Sequence, residues 1–312
     1  MKQYLDILED TLKNGWDRVS RPRLDGKQVI ARTSRKFARE MRFDLTNGKF
    51  PIVTTKPVPF RLVALELAAF IAATDDVREM NKVGLHIWDG NAYSEWWEKY
   101  REYKGHLGRI YGVEWIHFSS PWDPTGEVNQ LAWLINMIRA NPNDRRMIIC
   151  GWNPAAVQAN KVSLPPCHVM VHFDIIDGKI HFMMYQRSCD MVLGVPFNTP
   201  SYELFGSLIG HITGYPLAEF VHILGDHHIY ENHYEAARTQ IERKPLEFPT
   251  LWINPEIKEI DDFRLDKMVK RVETEDDFVS GRRKPITVID DYVQLVGYKY
   301  HEKLPGDQRM AV

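Results

Sequence analysis

The sequence predicts an α/β fold, in which a β-sheet and helices share a hydrophobic core. Residues 168–190 contain two stretches in which apolar and polar side chains alternate, as in half-buried strands, and an Asp-Gly pair between them suits a tight turn. Residues 1–15 carry an apolar stripe at helical spacing. Residues 60–72 are apolar nearly all round, which is typical of a buried helix.

The composition is that of an ordinary globular protein. The chain has 312 residues, of which 44% are hydrophobic and 26% charged, and its formal net charge is −2. This charge gives no general attraction to nucleic acid. No apolar run is long enough to span a bilayer, and the charged N-terminal helix does not resemble a signal peptide. Three cysteines do not make a paired extracellular framework, so a reducing compartment, the cytoplasm, is expected.

Three further elements are predicted along the chain. Residues 41–45 and 50–56 have the pattern of two strands around an Asn-Gly turn. An apolar helix is expected over residues 201–212, with Ser201 as its N-cap. A short strand after an Asp-containing turn carries His228 and Tyr230.

Cys167 is the candidate nucleophile. Two prolines precede it and fix the backbone, and the predicted hairpin brings Arg187 to the same edge of the sheet. A thiolate is the reactive form, and a nearby cation lowers the pKa of a thiol. The alternative is that Cys167 is a small buried hydrophobic residue, as many free cysteines are.

Charged residues supply the other candidates. Glu66 is the single acid in the apolar helix, and a buried carboxylate is costly unless it is paired or functional. The basic stretch 18–39 and the pair Arg145-Arg146 can contact phosphate oxygens, or can be solvated surface charges. No histidine spacing matches a zinc template, so no metal is expected.

Long motifs around these residues resemble the thymidylate synthase family. They are the segment Leu164–His168 with its cysteine, the segments Gln186–Asp190 and Leu193–Asn198, and the Gly225–Tyr230 segment. The segments at 83–89 and 107–115 are also similar to the family. The resemblance implies one domain over residues 1–312, with a large twisted mixed sheet, helices on one face, and a homodimer formed through the sheet.

The resemblance also implies a role for each matching residue. The catalytic residues would be Cys167, Glu66, Tyr111 and Asn198. The nucleotide dUMP would be bound by Arg187, Ser188, Asp190, Asn198, His228 and Tyr230, together with Arg145 and Arg146 of the partner subunit. The co-substrate 5,10-methylenetetrahydrofolate would contact Ile87, Trp88, Leu164, Asp190, Gly194, Phe197 and Ala311.

The implied reaction is transfer of one carbon from methylenetetrahydrofolate to C5 of dUMP, through a covalent bond between Cys167 and C6. Transfer with reduction gives dTMP and dihydrofolate; addition of water instead gives 5-hydroxymethyl-dUMP and tetrahydrofolate. An inactive nucleotide- or RNA-binding relative is a third reading, and no Cys-His-Asn arrangement favours a cysteine hydrolase.

Three departures from the family pattern bear on this choice. The phosphate-binding Arg-Thr-Gly-Thr-Gly loop is missing, and Arg21, Arg23 or Arg32 is expected to replace its arginine. Ala69 and Asn91 occupy positions where the family has tryptophans. All three positions matter in the family for closing the site and packing the folate, and they keep the hydroxymethylase alternative open.

Overall fold

The computed structural model of the chain describes residues 1–24, 27–270, 286–307 and 309. Within these ranges, the α-helices are Lys2–Asn14 (α1), Phe60–Ile71 (α2), Val77–Asn81 (α3), Asp89–Ala92 (α4), Glu95–Glu98 (α5), Tyr111–Ile116 (α6), Gln130–Ala140 (α7), Pro154–Gln158 (α8), Gly194–Thr213 (α9) and Tyr234–Glu242 (α10). The strands are Trp16–Leu24 (β1), Lys27–Thr33 (β2), Arg39–Asp44 (β3), Phe118–Ser119 (β4), Glu127–Val128 (β5), Ile148–Cys150 (β6), His168–Ile176 (β7), Lys179–Asp190 (β8), Leu217–Tyr230 (β9), Thr250–Ile253 (β10), Val269–Lys270 (β11), Ile286–Thr287 (β12) and Val293–Val296 (β13).

Seven of the described strands form one large sheet. Its order is β1-β2-β9-β8-β7-β6, and β3 also pairs with β9. The strands β8 and β9 run parallel and are connected through α9, whereas the other pairs in the sheet are antiparallel. The mixed sheet and its helices confirm the predicted fold class. None of the helices in the described ranges is both long and apolar enough to cross a bilayer.

The predicted hairpin is formed by β7 and β8. Asp177 and Gly178 both have positive φ, 52° and 69°, as the tight two-residue turns of hairpins require. A bulge between His168 and Met170 shifts the register at the far end, where His168 pairs with Gln186. The main-chain N–H of the next residue, Arg187, donates to the carbonyl oxygen before the bulge, that of Cys167, over 2.8 Å.

The main core lies between this sheet and α9. The rings of Phe182 and Phe220 stack with their centroids 4.6 Å apart, and the helix passes over them at Gly206. A Cβ atom at that glycine would lie 2.4 Å from the Phe182 ring, so the close approach requires glycine. Alternate side chains on β8, among them Met183 and Tyr185, lie on the other face of the sheet and remain half-exposed.

The prediction for the start of α9 was wrong. The helix begins at Gly194, and Ser201 lies inside it, only 2% exposed. The Asp190 carboxylate accepts from the main-chain N–H groups of Val192 and Leu193, at 2.9 and 3.2 Å, and orders the chain ahead of the first turn. The first turns of α9 therefore belong to the same region as the end of β8.

Two other predictions need correction. Residues 50–56 are buried but form no strand, because their main-chain groups bond to loops rather than to other strands. The Phe50 N–H donates to the Pro249 carbonyl, and the Thr54 carbonyl accepts from the His301 N–H. His228 and Tyr230 lie at the end of the 14-residue strand β9 rather than on a short strand. Their side chains consequently lie beside the end of β8, since these two strands are parallel neighbours.

Candidate active site

A cleft of about 1340 Å³ opens where the parallel strands β8 and β9 end and α9 begins. Open α/β sheets commonly bind ligands at the carboxyl ends of such strands. The cleft gathers most of the predicted site residues, from six separate parts of the chain. They are Glu66, Ile87, Trp88, Tyr111, Leu164, Cys167, Arg187, Ser188, Asp190, Gly194, Phe197, Asn198, His228 and Tyr230.

Cys167 is half-buried in the wall of this cleft, beside Arg187. The Arg187 guanidinium donates from Nε to the Pro166 carbonyl at 2.9 Å and from Nη2 to the Pro165 carbonyl at 2.7 Å, so it holds the loop that carries the cysteine. Burial raises the pKa of the Cys167 thiol, and the opposing effect of Arg187 is smaller. Arg187 thus lowers this pKa as expected, but the net pKa is raised because desolvation outweighs the charge.

Tyr111 contacts the nucleophile directly. Its hydroxyl oxygen accepts from the Cys167 main-chain N–H at 2.8 Å. Burial raises the pKa of Tyr111 well above its usual value, so the hydroxyl keeps its proton. The ring stacks on that of His168, with centroids 4.7 Å apart, and burial lowers the pKa of His168 to about 4. The phenol beside Cys167 and the imidazole stacked on it are therefore both uncharged at neutral pH.

Glu66 is buried in the cleft wall, 5% exposed. Its carboxylate accepts from the Trp88 indole N–H at 2.9 Å. Burial raises the pKa of Glu66 to about 7, against the smaller opposing effect of that hydrogen bond. A carboxyl group that exchanges its proton near neutral pH is suited to general acid–base catalysis.

Arginines and a histidine collect at one end of the cleft. Arg18 of β1 forms an ion pair with Asp226, whose carboxylate also lies 3.1 Å from Nδ1 of His228. Burial raises the pKa of Asp226, but His228 and Arg18 together hold it below its usual value. With Arg187, these groups make a cationic end suited to an anion such as phosphate.

Arg18 was missed at the sequence level, and Arg32 was a wrong candidate. Arg32 pairs with Asp17 at 2.7 Å and stacks on Tyr234, outside the cleft. The side chains of Arg21 and Arg23 lie outside the described part of the structure. The basic composition of residues 18–39 was the available signal, but it does not tell which arginine faces inward.

Much of the remaining cleft wall is apolar and aromatic. Trp88, Leu164 and Phe197 line it, and Trp96 of the short helix α5 lines it as well. Trp96 was not predicted; it supplies an indole in the part of the wall to which Asn91 also contributes. Flat aromatic walls of this kind fit a conjugated ring system such as a pterin.

Ala69, by contrast, lies in the core at 0% exposure and does not line the cleft. It therefore has no direct part in the ligand wall. Lys56 is a further residue that was missed: it lines the cleft and donates to the Val192 carbonyl at 2.6 Å. Burial lowers the pKa of Lys56 to about 8, with Asp190 opposing.

Two predicted site residues do not line this cleft. Arg145 and Arg146 lie before β6 and do not line the cleft of their own chain; Arg146 donates to Asp144 at 2.9 Å and stays largely exposed. Ala311 lies outside the described residues. Among the described residues, no cluster of three or more His, Cys, Asp or Glu side chains is placed to hold a metal ion.

An α/β fold with a cysteine, a titrating carboxyl group and arginines in one cleft is an arrangement suited to covalent chemistry on an anionic substrate. The family model described as thymidylate synthase matches residues 2–275. The chain therefore belongs to the thymidylate synthase family, whose members transfer one-carbon groups and use methylenetetrahydrofolate as co-substrate.

Proposed function

We propose that the protein methylates C5 of dUMP with 5,10-methylenetetrahydrofolate, and releases dTMP and dihydrofolate. The observation that carries this proposal is the convergence of Cys167, Glu66, Tyr111 and Asn198 on one cleft with a cationic end and an aromatic wall. Such a cleft accommodates a nucleotide and a folate side by side.

The nucleotide lies with its phosphate toward Arg187 and Arg18. Arg187 supports this role because its Nη1 atom has no hydrogen-bond partner among the described residues. His228 and Tyr230 bind the sugar hydroxyl, while Ser188 and Asn198 bind the base. In a homodimer formed through the sheet, Arg145 and Arg146 of the other subunit complete the phosphate site.

The chemistry begins at Cys167. Its thiol loses a proton and the sulfur adds to C6, and the ring electron pair moves toward C5 and the C4 carbonyl. C5 then bonds to the one-carbon unit and loses its proton, for which Tyr111 serves as relay. Loss of the folate amine leaves an exocyclic methylene; hydride transfer from the tetrahydrofolate so formed makes the methyl group and leaves dihydrofolate, and the sulfur leaves C6. Glu66 exchanges protons with the C4 carbonyl region through these steps.

The second candidate is hydroxymethylation, in which water adds to the exocyclic methylene and tetrahydrofolate is released. Asn91 favours it, because this residue puts a polar amide in the cleft wall where the family has an indole. The choice between the two reactions depends on how well water is excluded from the methylene.

The test is to incubate the enzyme with dUMP and methylenetetrahydrofolate, and to determine the mass of the nucleotide product. The dTMP mass with an equal amount of dihydrofolate supports methylation. A hydroxymethyl product with tetrahydrofolate overturns it in favour of the alternative.

A matched variant tests the covalent step. Cys167→Ala is expected to lower turnover by roughly a thousandfold or more, because it removes the only atom that adds to C6. Cys150→Ala removes another half-buried thiol outside the cleft and is the control. Nucleotide binding without turnover in the unmodified enzyme would identify an inactive relative instead.

A further inference from the structure

Four side chains form a continuous hydrogen-bonded chain that ends at the cleft. Thr199 Oγ1 lies 3.1 Å from His222 Nδ1, and His222 Nε2 lies 2.9 Å from Gln186 Oε1. Gln186 Nε2 then donates to Asn198 Oδ1 at 3.0 Å. Gln186 and Asn198 line the cleft, whereas Thr199 and His222 are fully buried behind them.

The main-chain carbonyl of Ser188 sets the direction of this chain. It lies 3.0 Å from Gln186 Nε2 and can only accept, so the Gln186 amino group must face it. The amide oxygen of Gln186 therefore faces His222, and His222 Nε2 must carry a proton. Burial, helped by nearby His168, lowers the pKa of His222 to about 3, so the ring is neutral and has one proton.

His222 Nδ1 is consequently unprotonated and needs a donor. The Thr199 hydroxyl is the donor within reach at 3.1 Å, and the Val195 carbonyl, 3.0 Å from the same oxygen, competes for its proton. At the other end, Asn198 presents its oxygen to Gln186, which leaves its amino group for the neighbouring His168 and for a ligand in the cleft. An amino group at this position donates a hydrogen bond to the C4 carbonyl of a uracil ring. Opposite the C4 amino group of cytosine it would find no acceptor.

We infer that Thr199 and His222 are positioning residues that act through Gln186 to fix the amide of Asn198, and so select a pyrimidine with a carbonyl rather than an amino group at C4. This inference rests on the proposed function and assigns the origin of its base specificity to buried residues that do not touch the substrate.

The first experiment compares dUMP and dCMP binding by calorimetry in wild type, His222→Phe and His222→Gln. The phenylalanine variant leaves the Gln186 oxygen without its donor. The preference for dUMP, measured as the ratio of the dissociation constants of dCMP and dUMP, is expected to fall about tenfold. The glutamine variant restores an N–H donor and is expected to recover most of the preference. His106→Phe removes another buried imidazole, outside the cleft, and should leave the preference unchanged.

A second pair of variants keeps the test valid where His222→Phe does not fold. Thr199→Val removes the donor to His222, and a narrowing of about threefold is expected. Thr11→Val is the control, because the buried Thr11 hydroxyl bonds only to the Ile7 carbonyl, with the same spacing as Thr199 to Val195.

Nitrogen NMR of labelled histidine reads the tautomer of His222 in the ligand-free protein. Protonation at Nε2 is expected; protonation at Nδ1, or an unchanged dUMP preference in a folded His222→Phe variant, would overturn the inference. Because the tautomer is measured without nucleotide, the result tests the hydrogen-bonded chain independently of the proposed function. Failure of the wild type to bind dUMP would instead count against the proposed function.

Discussion

Glu66 shows at the scale of one residue how a buried carboxyl group, here proposed to be catalytic, weakens the fold that holds it. Its folded pKa is about 7, against an ordinary value of 4.5, because burial disfavours the charged form. Between these two values the folded state binds more protons than the unfolded state. Stability therefore falls as pH rises from 4.5 to 7, and the penalty is complete above that range.

Glu66→Gln should remove this penalty. The variant is expected to gain stability relative to wild type as pH rises, by up to about 3 kcal/mol above neutral pH and almost nothing near pH 4. Urea unfolding at a series of pH values measures the difference. The exposed Glu256→Gln is the control, and parallel curves for Glu66→Gln and wild type would contradict the assignment.

Arg18 offers a second prediction at this scale. Arg18→Gln removes a cation from the phosphate end and leaves Asp226 to repel the phosphate, so affinity for dUMP should fall about tenfold or more. Deoxyuridine, which lacks the phosphate, should bind almost as well as to wild type. Calorimetry with dUMP and with deoxyuridine separates the loss of a phosphate contact from a general loss of nucleoside binding.

The control for this variant is Arg32→Gln, since Arg32 forms its ion pair outside the cleft. An equal loss of affinity for dUMP and deoxyuridine would indicate a general disturbance of β1 and contradict a phosphate contact by Arg18.

At the scale of elements, the site depends on how closely α9 approaches the sheet. Gly206→Ala would place a Cβ atom 2.4 Å from the Phe182 ring, which is stacked and cannot move aside. The expected cost is about 1–3 kcal/mol of unfolding free energy, measured by urea titration. An unchanged midpoint for Gly206→Ala would show that the helix can shift.

Elements with a strong local signal were predictable from the sequence. The β7–β8 hairpin followed from alternation and its Asp177-Gly178 turn, and α2 followed from its apolar composition, including the burial of Glu66. The parallel pairing of β8 with β9 has no local signal, because α9 lies between them in the chain. The irregular segment 50–56 was mistaken for a strand because burial on all sides gives an apolar run in either case.

The sequence predicted which residues form the site better than it predicted their chemical properties. Cys167 and Asn198 were found from motifs, but the raised pKa of Cys167 depends on burial that only packing determines. Arg18 looked like its neighbours in a basic stretch, and Trp96 lay in a segment with several other aromatic residues. In each case the missing information was which side of a strand or helix faces the cleft.

At the scale of the whole molecule, we propose that the half-exposed face of the sheet pairs with a second subunit, and that Arg145 and Arg146 then reach the cleft of that subunit. We expect the Cys167→Ala variant and an Arg145→Ala, Arg146→Ala double variant to be nearly inactive alone. In a mixed dimer, one cleft would combine the intact cysteine of one subunit with the intact arginines of the other. Mixing should restore about a quarter of wild-type activity once subunits exchange.

The same mixture also tests whether Arg145 and Arg146 serve the cleft of their own subunit. If the arginines serve their own subunit, or if sedimentation shows a monomer, mixing restores nothing. A mixture of Cys167→Ala with wild type that only dilutes the activity is the control.

The buried setting of Cys167 has a consequence for the resting enzyme. Peroxides and alkylating agents attack sulfur in its anionic form, and burial shifts the pKa of this thiol toward the protonated form. An idle molecule is thereby shielded from the oxidative damage to which cysteine enzymes with permanently ionised sulfur are exposed, at the expense of having to remove a proton in every catalytic cycle.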